Sequence, residues 1–210
     1  LISVADAKKK GYYIPAGYTE STVPELAFTT VDKSLEAAKN NGLKMRAHTL
    51  VWHSQTPSWF FTKNYDGSKV VTPAVMDARL DFYIHNVMGH VMDKEKALTG
   101  SAGSIVYAWD VVNEYLHRPS FAFFKTWTSV YGDMGNSPSY VKKAFEIAYD
   151  MLKSYQATYK VTLFYNDYNT YFGVKDTLNL VEFINKGETA KICGGIGMQS
   201  HVDVKVPTVA

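Results

Sequence analysis

This chain of 210 residues has one cysteine, a small net charge and no long apolar run. The single cysteine, Cys193, excludes an intrachain disulfide, and its place just before a glycine-rich strand start favours a buried side chain over a reactive thiol. The formal net charge is only +2 and the basic residues are scattered, so neither nucleic acid nor an anionic membrane is expected as a partner. No apolar run approaches the roughly 18 residues of a membrane-spanning helix.

Signals for a leader peptide and for a metal site are also missing. Residues 1–4 have neither a basic region nor a long apolar stretch, so we expect no signal peptide within this sequence. The six histidines include His48 and His53, but no His-Glu-x-x-His pattern pairs two of them on a helix. We therefore predict no catalytic metal and no cofactor.

Predicted helices and strands alternate along the chain. The helices begin near residue 29, at Thr72-Pro73, at Ser137-Pro138 and near residue 174. Runs rich in β-branched and aromatic residues predict strands over 43–50, 105–112, 161–165 and 196–201. This alternation favours a parallel sheet with helices outside it, and a hydrophobic content of 46% supplies the core of one continuous domain, residues 1–210.

The most informative of these strands, 105–112, leads directly into Asn113 and Glu114. Its nearly unbroken apolar character is typical of a strand buried on both faces of a parallel sheet. In parallel α/β barrels the carboxyl ends of the strands form the active-site face, so Glu114 is placed for proton transfer. An ordinary acidic residue opening a loop is the alternative interpretation.

The other predicted strand ends favour the catalytic interpretation, because they too carry polar and aromatic side chains. These are His48, Trp52 and His53 around the end of the first strand, Asn166, Asp167 and Tyr168 after the third, and Gln199 and His201 at the end of the fourth. Amides and imidazoles both donate to and accept from hydroxyl groups, and aromatic faces suit the C–H side of a sugar ring. We therefore expect a carbohydrate ligand.

Two charged residues, Arg46 and Asp110, fall inside predicted strands. Arg46 has the same strand parity as His48, and Asp110 the same parity as Glu114, so all four side chains can face the same way. We predict that Arg46 and Asp110 pair there, because an unpaired buried charge is costly. The alternative is that either side chain points to a helix interface.

The strand-end motifs resemble those of the family 10 glycoside hydrolases, chiefly endo-1,4-β-xylanases. The matching stretches are 46–59 (RAHTLVWHSQTPSW), 109–114 (WDVVNE), 165–169 (YNDYN) and 195–201 (GIGMQSH). They occur in the family's order, each at a predicted strand end, and the resemblance covers essentially the whole sequence.

This resemblance implies a (β/α)8 TIM barrel, an α/β fold of which the chain supplies roughly strands three to six. It implies that Glu114 is the general acid/base and that Asn113 hydrogen-bonds the sugar where cleavage occurs. The other substrate-binding or nucleophile-orienting positions that it implies are His48, Trp52, Gln55, Gln199 and His201, with Asn166 and Tyr168 as further matches.

The implied reaction is hydrolysis of internal β-1,4 links of xylan with retention, which needs a second carboxylate as nucleophile. In the family that Glu ends the seventh strand, so we expect it beyond Ala210, with the domain truncated at both ends and the isolated fragment inactive. Asp167 and Asp203 are the rival carboxylates within the chain. The expected partner is xylan or a xylo-oligosaccharide, and the resemblance also implies secretion or a cell-surface location and possible accessory carbohydrate-binding modules.

Two other functions stay open at this stage. Another barrel glycosidase, such as a cellulase or a mannanase, could also end its fourth strand in Asn-Glu, although the stretches 46–59 and 195–201 argue against it. A catalytically inactive sugar-binding barrel is the second alternative, and the intact Glu114 argues against that one.

Overall fold

The computed structural model of the protein describes residues 1–118 and 125–207. The strands are β1 (Ile2–Ser3), β2 (Thr22–Val23), β3 (Met45–Trp52), β4 (Val106–Asn113), β5 (Thr162–Asp167) and β6 (Gly195–Met198). The helices are α1 (Val4–Lys9), α2 (Thr29–Asn40), α3 (Pro73–Thr99), α4 (Trp127–Tyr131), α5 (Ser139–Ser154) and α6 (Val174–Asn185), with 3-10 turns at Ser58–Phe61 and Lys63–Tyr65.

The main sheet is parallel and has the order β3-β4-β5-β6, which is also the order along the chain. Each strand is joined to the next by at least one helix, and neighbouring helices α2, α3, α5 and α6 pack side by side. The predicted parallel α/β arrangement is confirmed. Because all four strands run the same way, their carboxyl ends lie at one edge of the sheet.

All four predicted strands are present, but the boundaries of each differ from the prediction by one to three residues, most clearly for the first and the last strand. The strand predicted over 43–50 spans Met45–Trp52, because the Leu43 amide donates to the Ala38 carbonyl at 2.8 Å and so closes α2 before β3 begins. The strand predicted over 196–201 ends at Met198, because Ser200 has a left-handed backbone (φ 51°) that breaks the extended ladder. Gln199 and His201 therefore follow β6 instead of belonging to it.

β4 is the most buried strand, as its sequence predicts, and Tyr107 is its only exposed residue. Its first residues are fixed by the buried Glu95 of α3, which is 1% exposed. The Glu95 carboxylate accepts backbone N–H groups from Gly103, Ile105 and Val106 at 2.6–2.8 Å. A buried charge is thus satisfied, and the start of the central strand is attached to a helix.

The N-terminal segment, residues 1–26, packs on α3 through Ala7 and Val23, which meet Phe82 in a small second core. The fully buried Arg79 of α3 holds this segment in place through an ion pair with Glu20. It also donates to the Phe60 and Thr62 carbonyls, in the turns after β3. The sequence did not predict β1, β2, α1 or α4, since such short elements show no usable periodicity.

Cys193 is buried as predicted, at 2% exposure, and burial raises the pKa of its thiol to about 11. The thiol is therefore protonated at neutral pH. Across the described parts of the chain, no helix combines the length and the apolar character needed to cross a membrane.

Candidate active site

Glu114 is the first residue after β4, and its backbone is left-handed, with φ of 58°. Its amide donates to the Asn166 carbonyl at 2.8 Å, which extends the β4–β5 ladder by one residue. Non-glycine residues adopt this conformation rarely, and such strain concentrates at functional sites. The side chain is 13% exposed, and it points toward the tips of β3 and β6.

Two neutral N–H groups hold the Glu114 carboxyl. Trp52 Nε1 donates to Oε2 and Gln199 Nε2 donates to Oε1, both at 2.8 Å. His53 Nε2 lies 4.0 Å from Oε2. Burial lowers the pKa of His53 below its ordinary value of 6.5, although the charge of Glu114 opposes the shift, so the imidazole is neutral at pH 7.

The amide of Asn113 lies beside this carboxyl and is 2% exposed. Its Oδ1 accepts from Asn166 Nδ2 at 2.7 Å and from Gln199 Nε2 at 3.2 Å. The Gln199 Oε1 in turn lies 2.9 Å from His201 Nε2. Since both bonds to Asn113 use Oδ1, its Nδ2 remains a donor without a hydrogen-bond partner among the residues that the structure describes.

Asp110 of β4, four residues before Glu114, organises a second group of side chains. Arg46 donates to Asp110 Oδ1 from Nε at 2.9 Å and from Nη2 at 2.6 Å, so the predicted pair is confirmed. His48 Nδ1 lies 3.0 Å from Oδ2 of the same carboxylate. The Arg46 guanidinium also stacks 4.2 Å above the Phe164 ring. A Cβ atom at Gly197 would overlap Arg46 Nη2, so glycine there makes room for the pair.

A third group lies on the β5 side of Glu114. Asp167 is 0% exposed, and its carboxylate accepts from the Tyr165 hydroxyl, from the Tyr168 amide at 2.8 Å and from His117 Nδ1 at 2.7 Å. The His117 ring stacks on Tyr168 with 3.9 Å between centroids. Desolvation, and then the negative charges of Glu114 and Asp167, raise the pKa of Tyr168.

Gln55 lies apart from these groups. It is exposed and lines a cavity of about 410 Å³ at the open edge of β3, together with His48, Trp52 and Trp59. The cavity wall is completed by apolar side chains of α3 and by residues of the N-terminal segment. Gln55 is thus near the site but does not bond to Glu114.

The structure brings most of the predicted site residues to one edge of the sheet. Trp52 and Gln199 donate hydrogen bonds to the Glu114 carboxyl. Gln199 also contacts His201, and Asn166 bonds to Asn113 beside Glu114. His48 contacts Asp110, and Tyr168 stacks on His117. Sequence reasoning placed His53 at the end of the first strand without giving it a role in the site, and it left His117 out. The signal for each was its position, directly after Trp52 and three residues after Glu114.

No three or more histidine, cysteine, aspartate or glutamate side chains are grouped to hold a metal ion within residues 1–118 and 125–207. The site is instead built from one carboxyl group with neutral donors around it and aromatic faces at its border. That is the chemistry of a proton donor to a hydroxyl-rich substrate.

Comparison with known proteins agrees with this geometry. The family model described as Glycosyl hydrolase family 10 matches residues 10–210. The chain belongs to this family. Family 10 enzymes are (β/α)8 barrels, and the parallel β3–β6 sheet with its helices supplies four of the strands of such a barrel.

Curated relatives named as xylanases align with nearly the whole length of this chain. Endo-1,4-beta-xylanase A of Butyrivibrio fibrisolvens is 50% identical over 210 residues, which are 100% of this chain and 48% of that protein. Endo-1,4-beta-xylanase A of Thermotoga neapolitana is 37% identical over 96% of this chain and 17% of its own length. The chain therefore spans about half, or less, of the curated relatives it matches.

Solved structures of family 10 superpose on the fold. The intracellular xylanase TsXylA of Thermoanaerobacterium saccharolyticum, a glutamate-to-alanine mutant in complex with xylotriose, matches with a TM-score of 0.67 and 32% identity, over 86% of this chain and 51% of that one. A Clostridium thermocellum xylanase in complex with xylohexaose matches with a TM-score of 0.61 and 33% identity, over 81% of this chain and 33% of that one.

Proposed function

We propose that the protein is a retaining endo-1,4-β-xylanase in which Glu114 is the general acid/base. The observation that carries the proposal is the position of Glu114: its carboxyl group lies at the tip of the central parallel strand, bonded by Trp52 and Gln199. Family membership supports the reaction class, and relatives named as endo-1,4-beta-xylanases support the substrate.

In the first step, Glu114 gives its proton to the glycosidic oxygen as the bond from that oxygen to the sugar carbon breaks, and the nucleophilic carboxylate bonds to the same carbon. Trp52 Nε1 and Gln199 Nε2 then stabilise the negative charge of Glu114, because each already points an N–H at one of the two oxygens. In the second step the Glu114 carboxylate takes a proton from water, the water oxygen bonds to the sugar carbon, and the nucleophilic carboxylate is released. The neutral His53 adds no positive charge of its own to this carboxyl.

Retention requires a second carboxylate about 5 to 5.5 Å from the first. Asp167 is occupied by three donors beneath His117, and the exposed Asp203 accepts from the Lys205 amide at 2.8 Å. We therefore assign the nucleophile to a part of the full-length protein outside these 210 residues.

The substrate class follows from the polar groups and from the family. Asn113 and His48 can bond to sugar hydroxyls, Trp52 and Tyr168 offer flat apolar faces, and solved relatives bind xylotriose and xylohexaose. Accessory modules are part of the proposal, because the Clostridium thermocellum relative carries a CBM22 module beside its catalytic one.

Action outside the cell is also proposed, since polymeric xylan cannot cross a membrane. The Thermoanaerobacterium saccharolyticum relative is an intracellular xylanase, so family membership does not fix the compartment. Xylanase activity in the medium of the producing cells, compared with a cytoplasmic marker enzyme, tests this part of the proposal.

The activity test is Glu114→Gln in the full-length protein, with reducing-sugar release from xylan as the measurement. Removal of the acid should lower kcat by about 10²- to 10⁴-fold, and by less on an aryl xyloside whose leaving group needs little protonation. Glu146→Gln on the surface of α5, where the side chain is 42% exposed, is the matched control and should keep full activity.

A Glu114→Gln variant with nearly unchanged activity on xylan would remove Glu114 from the mechanism. Cellulose and mannan are tested in parallel, because a preference for either of them would replace the xylanase assignment. Binding of xylan without hydrolysis by the unsubstituted protein would identify an inactive sugar-binding barrel.

A further inference from the structure

His117 belongs to the turn that immediately follows Glu114. Its amide donates to the Glu114 carbonyl at 3.2 Å, and its side chain is 32% exposed. Its ring is fixed on two sides, by Asp167 through Nδ1 and by the stacked face of Tyr168. The imidazole therefore has one orientation although it lies in a turn.

The anchor of this ring is unusually firm. Asp167 is fully buried at the end of β5 and also accepts from the Tyr165 hydroxyl and the Tyr168 amide. The Tyr165 hydroxyl in turn accepts from the Leu116 amide at 3.0 Å, one residue before His117. The ring of His117 and the backbone of the residue before it are thus both bound to β5.

The contact with Asp167 also decides which ring nitrogen faces a ligand. Because Nδ1 points at a carboxylate, it carries a proton, which leaves Nε2 as the ring nitrogen that can bond to a ligand. Nε2 has no hydrogen-bond partner among the residues that the structure describes. An oriented ring nitrogen at the border of a sugar site is suited to a sugar hydroxyl, which can both donate and accept.

The sheet order places this ring on the β5 side of Glu114 and away from Trp52. Glu114 directly follows β4, Trp52 ends β3 on one side with Gln55 in the turn after it, and His117 and Tyr168 lie against β5 on the other side. A polysaccharide that crosses the strand tips and is cut at Glu114 therefore has a sugar on the β5 side as well.

We propose that His117 is a specificity-determining residue that binds, through Nε2, a hydroxyl of the sugar next to the one whose bond is broken, on the β5 side of Glu114. This rests on the proposed function. The ligand is a pyranose unit of the chain, so His117 matters only for substrates that extend beyond a single sugar.

The test compares two substrates on the same sample of full-length protein: xylotetraose and an aryl β-xyloside, which presents one sugar only. His117→Ala should lower kcat/KM for xylotetraose by about 3- to 10-fold, the value of one hydrogen bond, and leave the aryl xyloside within about twofold. The aryl substrate also reports the folded, active fraction, so a loss of stability is not mistaken for a loss of binding.

Two further variants separate the hydrogen bond from packing. His117→Phe keeps a ring on Tyr168 but removes Nε2, so it should lose as much activity on xylotetraose as His117→Ala. The matched control is His85→Ala, because His85 also pairs with an aspartate, Asp81, and stacks on a tyrosine, Tyr13, but lies on α3. It should leave the ratio of the two kcat/KM values unchanged.

Equal losses on both substrates, no loss on either, or full activity in His117→Phe would each overturn the role of His117. Failure of the proposed function has a different signature, since the unsubstituted protein would then hydrolyse neither substrate.

Discussion

Asp110 shows how a single residue connects the strand interior to the site. Its carboxylate is buried, with one oxygen bonded to Arg46 and the other facing His48. The Arg46 guanidinium also stacks on the Phe164 ring. Removing the negative charge would leave a cation without its partner and would release His48 from a fixed orientation.

We predict that Asp110→Asn lowers the free energy of unfolding by about 1–3 kcal/mol, because a half-buried charge loses a charged acceptor. Urea denaturation of the full-length protein measures the change. Asp133→Asn is the control, since Asp133 also pairs with an arginine, Arg118, but is 80% exposed, and it should show no measurable effect. Equal midpoints for the two variants would contradict the prediction.

Much of the residue-scale picture could be predicted where strand parity applies. Arg46 and Asp110 alternate with their neighbours as strand residues must, and parity alone predicts the pair. His53 and His117 follow strand ends, where side-chain direction depends on backbone angles such as the positive φ of Glu114. No periodicity encodes those angles, so the sequence could not place these two rings.

At the scale of elements, Glu95 explains why β4 begins where it does. Its carboxylate accepts hydrogen bonds from the backbone amides of Gly103, Ile105 and Val106. Without Glu95, these donors at the start of the strand would have no acceptor. The helix α3 therefore fixes the register of the strand that ends in Glu114. Contacts of this kind are tertiary and leave no local pattern. The boundaries near Leu43 and Ser200 escaped prediction for local reasons, the backbone bond that closes α2 and the positive φ of Ser200.

Glu95→Gln should destabilise the protein by about 1–3 kcal/mol, since the variant loses the charge that accepts three buried N–H groups. Amide hydrogen exchange localises the effect, with faster exchange expected at Ile105 and Val106. Glu182→Gln, on an exposed position of α6, is the control for the same chemical change. Unchanged protection of both amides would show that Glu95 does not hold the start of β4.

At the scale of the whole molecule, the outer edges of β3 and β6 have no strand partner within residues 1–118 and 125–207. Open edges of a parallel sheet are templates for association, and a closed barrel removes them. Alternating helices and strands could predict the parallel sheet. The prediction of a closed barrel rested on the family resemblance, because a local sequence pattern predicts individual strands and not the total number of strands in a barrel.

A polypeptide limited to residues 1–210 should therefore self-associate and hydrolyse no xylan, because its strand edges are open and Glu114 has no second carboxylate. Size-exclusion chromatography with light scattering and a reducing-sugar assay measure both properties. The full-length protein, assayed at the same molar concentration, is the control. A monomeric, active polypeptide of this length would contradict the expectation.

The arrangement of side chains around Glu114 depends on the absence of a side chain at Gly197. The space that a methyl group would fill at this position already holds the guanidinium of Arg46 and the amide oxygen of Asn166. One added carbon would push apart two side chains that belong to different strands and serve different neighbours of Glu114. Even Gly197→Ala should therefore displace one of these side chains, although glycine itself contributes no reactive atom.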